Sequence, residues 1–172
     1  MSKVVVIGTG TMGIGIAGGF LACGTDTIIL GRSTEKALAC LESIKTCADS
    51  INNEWGKLNP KLQSGSIDGW TDWDEVDLVI ETVSENLSLK QEIFAKLDKR
   101  VPPHIPIGSN SSGFPISDIA RDLSTAHRML NTHYFMPAHI VPLVEIVTGK
   151  QSDLALAEKV CAFYRAHGKK DR

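Results

Sequence analysis

Residues 133 to 146 read HYFMPAHIVPLVEI, with His133 and Glu145 twelve positions apart and little but apolar side chains and prolines between them. An imidazole titrates near neutral pH and can move a proton in either direction. A carboxylate bonded to its second ring nitrogen would fix the tautomer and stabilise the imidazolium, and apolar surroundings would strengthen that coupling. The two residues are therefore a candidate general acid–base pair. The plainer alternative is a core histidine with a satisfied hydrogen bond, and a glutamate on the solvent face of a strand over Leu143 to Val147. His104, His127 and His167 stand in loop or helix-end contexts and read as surface residues; His139 lies in a loop between two prolines and is given no role.

A second constellation is Gly8-Thr9-Gly10-Thr11-Met12-Gly13, a G-x-G-x-x-G that directly follows an apolar strand and opens a helix. That context makes the spacing informative. Gly8 permits the tight turn, Gly10 lets the backbone approach a pyrophosphate, and Gly13 lets helix and strand pack closely. Free N–H groups at the helix start, around Thr11 and Met12, then face the anion. Dinucleotide folds commonly end their second strand in Asp or Glu, which bonds the adenosine ribose hydroxyls. Here the position holds Gly31, followed by Arg32 and Ser33. A guanidinium and a hydroxyl suit a 2′-phosphate where a carboxylate would repel it. NADP is expected over NAD; Arg32 as a solvated loop residue stacked on adenine would leave the choice open.

These side chains need a frame. Lys3 to Ile7 is a β-branched run, and small residues alternate with apolar ones from Gly8 through Cys23, which predicts strand, tight turn and close-packed helix. Asp26 to Leu30 reads as a second buried strand, followed by a helix capped by Ser33 or Thr34 and carrying Ala37, Leu38, Leu41, Ile44 and Ala48. Residues 52 to 75 read as loops with one short strand near Ile67. Val76 to Ile80 is a third clear strand, and Ser88 to Asp98 a helix with Leu89, Ile93, Phe94 and Leu97 on one face. A short strand over Ile105 to Gly108 and a short helix over Ile116 to Leu123 come next. Strands over Met129 to Phe135 and Val144 to Val147 precede a closing helix from Asp153 to His167, with Ser152 as cap and Gly168 past its end. Strands alternating with helices imply an α/β fold: a doubly wound, mainly parallel sheet of the Rossmann type with helices on both faces.

Composition bounds the rest. At 172 residues, 42% of them hydrophobic, and a formal net charge of -2, the chain suits one globular domain with a well-filled core. Near-balanced charge without a Lys/Arg cluster argues against binding nucleic acid or anionic membranes. The early apolar run Val4 to Ile7 is too short for a bilayer span or a signal-peptide core, so the cytoplasm is expected. Cys23, Cys40, Cys47 and Cys161 form no CxxC pair and have no histidine at ligand spacing, so mostly buried, reduced thiols are expected, and no metal site.

Four stretches, VVVIGTGTMG, ETVSENLSLKQEIFAKLD, SNSSGFPISDIA and HYFMPAHIVPLVEIV, occur in an order that resembles the 3-hydroxyacyl-CoA dehydrogenases and their relatives acting on free hydroxy acids. The resemblance implies an enzyme that exchanges hydride between a nicotinamide dinucleotide and the 3-hydroxy/3-oxo position of a small-molecule substrate, an acyl-CoA or a hydroxy acid. It assigns His133 as general acid–base, Glu145 as its orienting carboxylate and Ser112 as a substrate-binding serine. Glu85 and Lys90 match residues that contact the cofactor near the nicotinamide ribose; each reads equally as a solvated helix-start charge. Likewise, the SNSSG run reads equally as a polar turn at a strand end.

The match departs in three places. Met136 stands where the family has asparagine in His-Phe-Phe-Asn-Pro, and methionine cannot supply that residue's donor and acceptor. The family continues past the Gly168 region into a further strand and a helical domain that closes the substrate cleft and forms the dimer. Residues 1–172 are thus expected to be one dinucleotide-binding domain, a fragment of a longer, homodimeric parent, able to bind cofactor but poor in turnover. The Ser33 to Gly65 segment is shorter than the CoA-contacting hairpin of the acyl-CoA enzymes, which leaves free hydroxy acids open as substrates. A competing reading is a non-catalytic dinucleotide-binding protein, structural or redox-responsive, on the same fold.

Overall fold

The computed structural model describes residues 2 to 171. Its first strand, β1 (Lys3–Ile7), has Val4, Val5, Val6 and Ile7 all fully buried, because the strand lies mid-sheet with helices on both faces. A strand covered on both sides has no reason to alternate apolar and polar residues. Around it the chain forms α1 (Thr11–Ala22), β2 (Asp26–Gly31), α2 (Thr34–Leu38), α3 (Leu41–Ile51), β3 (Leu62–Ser66), β4 (Leu78–Glu81), α4 (Leu87–Arg100), β5 (Ile107–Ser109), α5 (Ile116–Ile119), β6 (Met129–Tyr134), β7 (Leu143–Thr148), α6 (Leu154–Ala166) and β8 (Lys170–Asp171). The sheet order is β3-β2-β1-β4-β5-β6-β7-β8, parallel throughout except for the antiparallel β6–β7 pair. This is the doubly wound α/β fold that the alternation of elements implies. One core joins α1, α3 and α6 to the sheet through Ile16, Phe20, Ile44 and Tyr164; the other joins α4 and α5 through Ile93, Phe94, Leu97 and Ile116.

Several local expectations change. The helix expected to run through Leu38 and Leu41 is two helices, with Cys40 in the break donating its thiol to the Lys36 carbonyl (3.2 Å) and Leu38 exposed. The strand expected near Ile67 occupies Leu62–Ser66; its register on β2 overrides a polar sequence with little strand character. The helix over Ile116 to Leu123 stops at Ile119, and Asp122 just beyond it is left-handed (φ 63°). Asp153, not Ser152, caps α6 by accepting from the amides of Ala155 and Leu156. Ser152 instead donates its hydroxyl to the Met129 carbonyl. Of the four cysteines, expected to be mostly buried, only Cys40 is buried, and none is in a disulfide. His167, read as a surface residue, packs against Phe163 and Phe20 with centroids 4.2 and 5.5 Å away.

The start of β6, the strand that carries His133, is fixed by Arg128. Its guanidinium is fully buried and uses all five N–H groups: Nε donates to Thr125 Oγ1, Nη1 to the Pro102 and Ile105 carbonyls, and Nη2 to those of Asp98 and Val101. The planar fork thereby satisfies carbonyls at and just past the end of α4 that no helical amide can reach. Removing it takes that donor from the Asp98, Val101 and Ile105 carbonyls, while Pro102 keeps the Ile105 amide. Arg128→Ala should lower unfolding free energy by about 3–5 kcal/mol, against under about 1 kcal/mol for Arg121→Ala at an exposed ion pair; urea titration of the two variants checks the contrast.

Candidate active site

The sheet order reverses between β1 and β4, and at the carboxyl ends of these strands lies a groove of about 320 Å³ lined by Gly8, Gly10, Gly31, Arg32, Thr82 and Val83, among others. Crevices at such switch points are where doubly wound sheets bind ligands. Sterics here demand glycine twice. Gly8 has φ 117°, and a side chain on it would meet Thr82 Oγ1 at 2.4 Å; a Cβ on Gly13 would stand 2.0 Å from the Gly8 carbonyl oxygen. Thr82 locks the turn from the neighbouring strand, its amide and hydroxyl both donating to the Ile7 carbonyl at 2.7 and 2.9 Å. Gly10 is the N-cap of α1 and has no side chain to cap it, so the first-turn amides at Thr11, Met12 and Gly13 lack a side-chain partner. Space is open where a Gly10 side chain would project. An uncapped helix start beside open space fits a pyrophosphate.

Beyond Gly31, Arg32 and Lys36 line the groove as two exposed cations. Ser33 is less free than expected: its oxygen accepts from the Lys36 amide at 3.4 Å as the α2 cap. The Glu35 carboxyl beside it is held below its usual range, first by its own backbone amide and then by the Ser33 hydroxyl.

At the other end of the same row of strand termini, β6 and β7 place His133 directly opposite Glu145. His133 Nδ1 and Glu145 Oε2 are 3.0 Å apart, and the imidazole meets the Phe135 ring edge-on at 4.7 Å. The pair is half-buried rather than enclosed, with the two side chains 23% and 40% exposed. Because Nδ1 faces the carboxylate, Nε2 is the nitrogen left for a substrate.

Between the two ends lies a network that the sequence did not disclose. Glu81, at the end of an otherwise apolar strand, is fully buried and accepts from Lys90 Nζ (2.9 and 3.1 Å), the Val83 amide (2.5 Å) and Ser109 Oγ (2.6 Å). Lys90 is only 1% exposed and also donates to the Val83 carbonyl, so the structure does not place it in the groove as a cofactor contact. Its ammonium faces Glu85 at 3.4 Å instead. Glu85 is the partly exposed member; its carboxylate accepts from Ser111 Oγ (2.5 Å) and the Gly113 amide (2.8 Å). Ser112, between them in sequence, is exposed. Asn110 Oδ1 accepts from the Tyr134 amide (2.8 Å), tying this loop to the strand of His133. The one local signal for Glu81 was a charge closing an apolar run; its partner on the following helix is invisible to periodicity.

Fold and site together define a dinucleotide-binding domain with a carboxylate-oriented histidine at the far end of its cofactor groove. The family model described as "3-hydroxyacyl-CoA dehydrogenase, NAD binding domain" matches residues 3–171. A peroxisomal fatty acid beta-oxidation multifunctional protein of Oryza sativa subsp. japonica is 35% identical over 92% of this chain and 23% of its own length. The 3-hydroxyadipyl-CoA dehydrogenase of Escherichia coli (strain K12) is 30% identical over 98% of this chain and 37% of its own. Among solved structures, 3-hydroxybutyryl-CoA dehydrogenase from Escherichia coli K12 superposes with a TM-score of 0.87 at 27% identity, over 99% of this chain and 37% of that one. The chain belongs to the 3-hydroxyacyl-CoA dehydrogenase family. It spans well under half the length of these relatives. No helix among the described residues is long and apolar enough to cross a membrane.

Burial raises the Glu85 carboxyl, but Ser111, the Gly113 amide and the Lys90 ammonium outweigh it and hold the group below its usual 4.5. A carboxyl depressed in the folded state stabilises the fold above its unfolded value and loses that contribution as pH falls through the folded one. Wild type should therefore lose stability below about pH 4.5 more steeply than Glu85→Gln, in denaturant titrations run from neutral to acid pH.

Proposed function

We propose that this domain serves a nicotinamide-dependent dehydrogenase that interconverts a 3-hydroxyacyl thioester and its 3-oxo form, with His133 as the proton-transferring group. The observation that carries the reading is the 3.0 Å His133–Glu145 contact, set on the same row of strand ends as the glycine groove. From β1 across β4 and β5 to β6 is three strand spacings, about 14 Å, a distance suited to a dinucleotide laid from pyrophosphate to nicotinamide. When bound, that cofactor supplies the hydride acceptor for oxidation and the donor for reduction. In oxidation His133 Nε2 takes the hydroxyl proton, and Glu145 stabilises the imidazolium through Nδ1; in reduction the same nitrogen returns the proton. Ser112 offers its hydroxyl to the reacting oxygen, and Glu85 lies toward the nicotinamide ribose. The names of the relatives support an acyl-CoA over a free hydroxy acid.

For the cofactor we propose NADP over NAD, supported by Arg32 and Lys36 in the groove and by the absence of a carboxylate at Gly31. The domain supplies the dinucleotide-binding part of a longer parent, a reading supported by the relatives' greater length, and that parent is proposed to be a homodimer. The cytoplasm is the compartment proposed, in keeping with four cysteines of which none is in a disulfide among the described residues.

His133→Ala in a protein that includes this chain should cut turnover of acetoacetyl-CoA by about 10²–10⁴-fold, with Glu145→Gln falling between it and wild type. Wild-type turnover in His133→Ala would remove the assignment. Fluorescence titration should show tighter binding of NADPH than NADH, with Arg32→Ala weakening NADPH by about tenfold and NADH little. Equal affinities in the wild type would remove the cofactor choice.

A further inference from the structure

The Glu81–Lys90 pair poses a physical question. Both side chains are taken fully out of water, 0% and 1% exposed, and neither lines the groove. Desolvating two charges offsets most of their attraction, so a buried pair stabilises a fold little better than apolar residues of the same volume. What such a pair does supply is direction, because each oxygen and each proton demands a partner at a fixed angle.

Those partners are concentrated on two segments. Glu81 holds the Val83 amide, and Lys90 the Val83 carbonyl, so both backbone groups of one groove-lining residue are gripped. Glu81 also takes the hydroxyl of Ser109, its directly paired residue on β5, at the point where that strand turns into the 109–113 loop. Lys90 reaches Glu85, and Glu85 in turn takes Ser111 Oγ and the Gly113 amide, the residues on either side of Ser112. Ser111 Oγ accepts from the Phe114 amide as well, which closes the loop on itself. The exposed Ser112 hydroxyl is thus carried on a segment anchored at both ends to one buried ion pair.

We propose that Glu81 and Lys90 are a positioning pair that sets the 82–85 and 109–113 segments, and with them Glu85 and Ser112, against the nicotinamide half of the bound cofactor; this rests on the functional reading above. Neither residue touches the reacting atoms. Replacing them by apolar residues of similar volume leaves the core filled but releases Val83, Ser109 and Glu85 together.

The test uses the 172-residue chain, the double variant Glu81→Leu/Lys90→Met, thermal unfolding, and titration with NADPH, NADH and ADP. ADP occupies only the glycine-loop end and, like NADH, carries no 2′-phosphate, so the ratio of NADH affinity to ADP affinity reads the nicotinamide half. A purely structural pair would alter folding without changing that ratio in the folded protein. The double variant should fold, and its ratio should fall by about tenfold. A folded double variant with the wild-type ratio overturns the proposal. Should the double variant not fold, Ser109→Ala removes one of Glu81's donors in a milder way, and its ratio should fall by about threefold; an unchanged ratio there also overturns it. A wild type that binds ADP and gains nothing from the nicotinamide half contradicts the functional reading itself, and this proposal with it.

Discussion

The antiparallel register of β6 on β7 is the constraint on which the proton-transfer end depends. Side chains alternate across a sheet, so a slip of one residue would send Glu145 to the opposite face from His133. The site does not fix this register; the core does. Leu130, Tyr134 and Val144 point into the cluster that holds Tyr164, and the Tyr134 and Tyr164 hydroxyls bond at 3.0 Å. With those residues on one face, alternation leaves His133 and Glu145 together on the other. Burying the apolar face, the larger energy, decides where the weaker polar contact forms.

The cofactor end depends on close approach instead. Gly8 and Gly13 leave no room for a side chain, and the same lack of bulk brings the α1 amides to the ends of β1 and β4. Thr82 closes that turn from β4, and Glu81, one residue earlier, begins the hydrogen-bonded path to Ser109, Ser111 and Gly113. A single strand end therefore serves both halves of the groove. Such a layout explains why the two chemical motifs lie more than a hundred residues apart in sequence and yet share one row of strand termini.

What could be read in the sequence was whatever is encoded locally. The valine-rich β1, the glycine spacing, the Leu89-Ile93-Phe94-Leu97 face of α4 and the His133/Glu145 pair each carry their signal within a dozen or so residues. The hidden features are those whose cause lies far along the chain. Lys90 reads as a cofactor contact or a solvated helix-start charge until β4 brings Glu81 beneath it, and nothing local singles out Arg128 until the end of α4 offers its carbonyls. β3 carries a polar sequence and is a strand only because β2 provides an edge to pair with. His167 likewise acquires its aromatic partners from α1 and the preceding turn of α6. Glu145 lies between these cases: its partner was legible, whereas its 40% exposure was not, because nothing local tells how far the outer strands are covered.

The most direct measurement is of the His133 ring nitrogens by heteronuclear NMR, in the wild type and in Glu145→Gln, at a pH where the imidazole is neutral. Orientation by the carboxylate predicts a proton on Nδ1 in the wild type, bonded to Glu145, with Nε2 bare and able to accept from a hydroxyl; the preference should be lost in the variant. A wild-type ring carrying its proton on Nε2, or one whose tautomer is unchanged by the substitution, would contradict the claim that Glu145 makes His133 a proton acceptor.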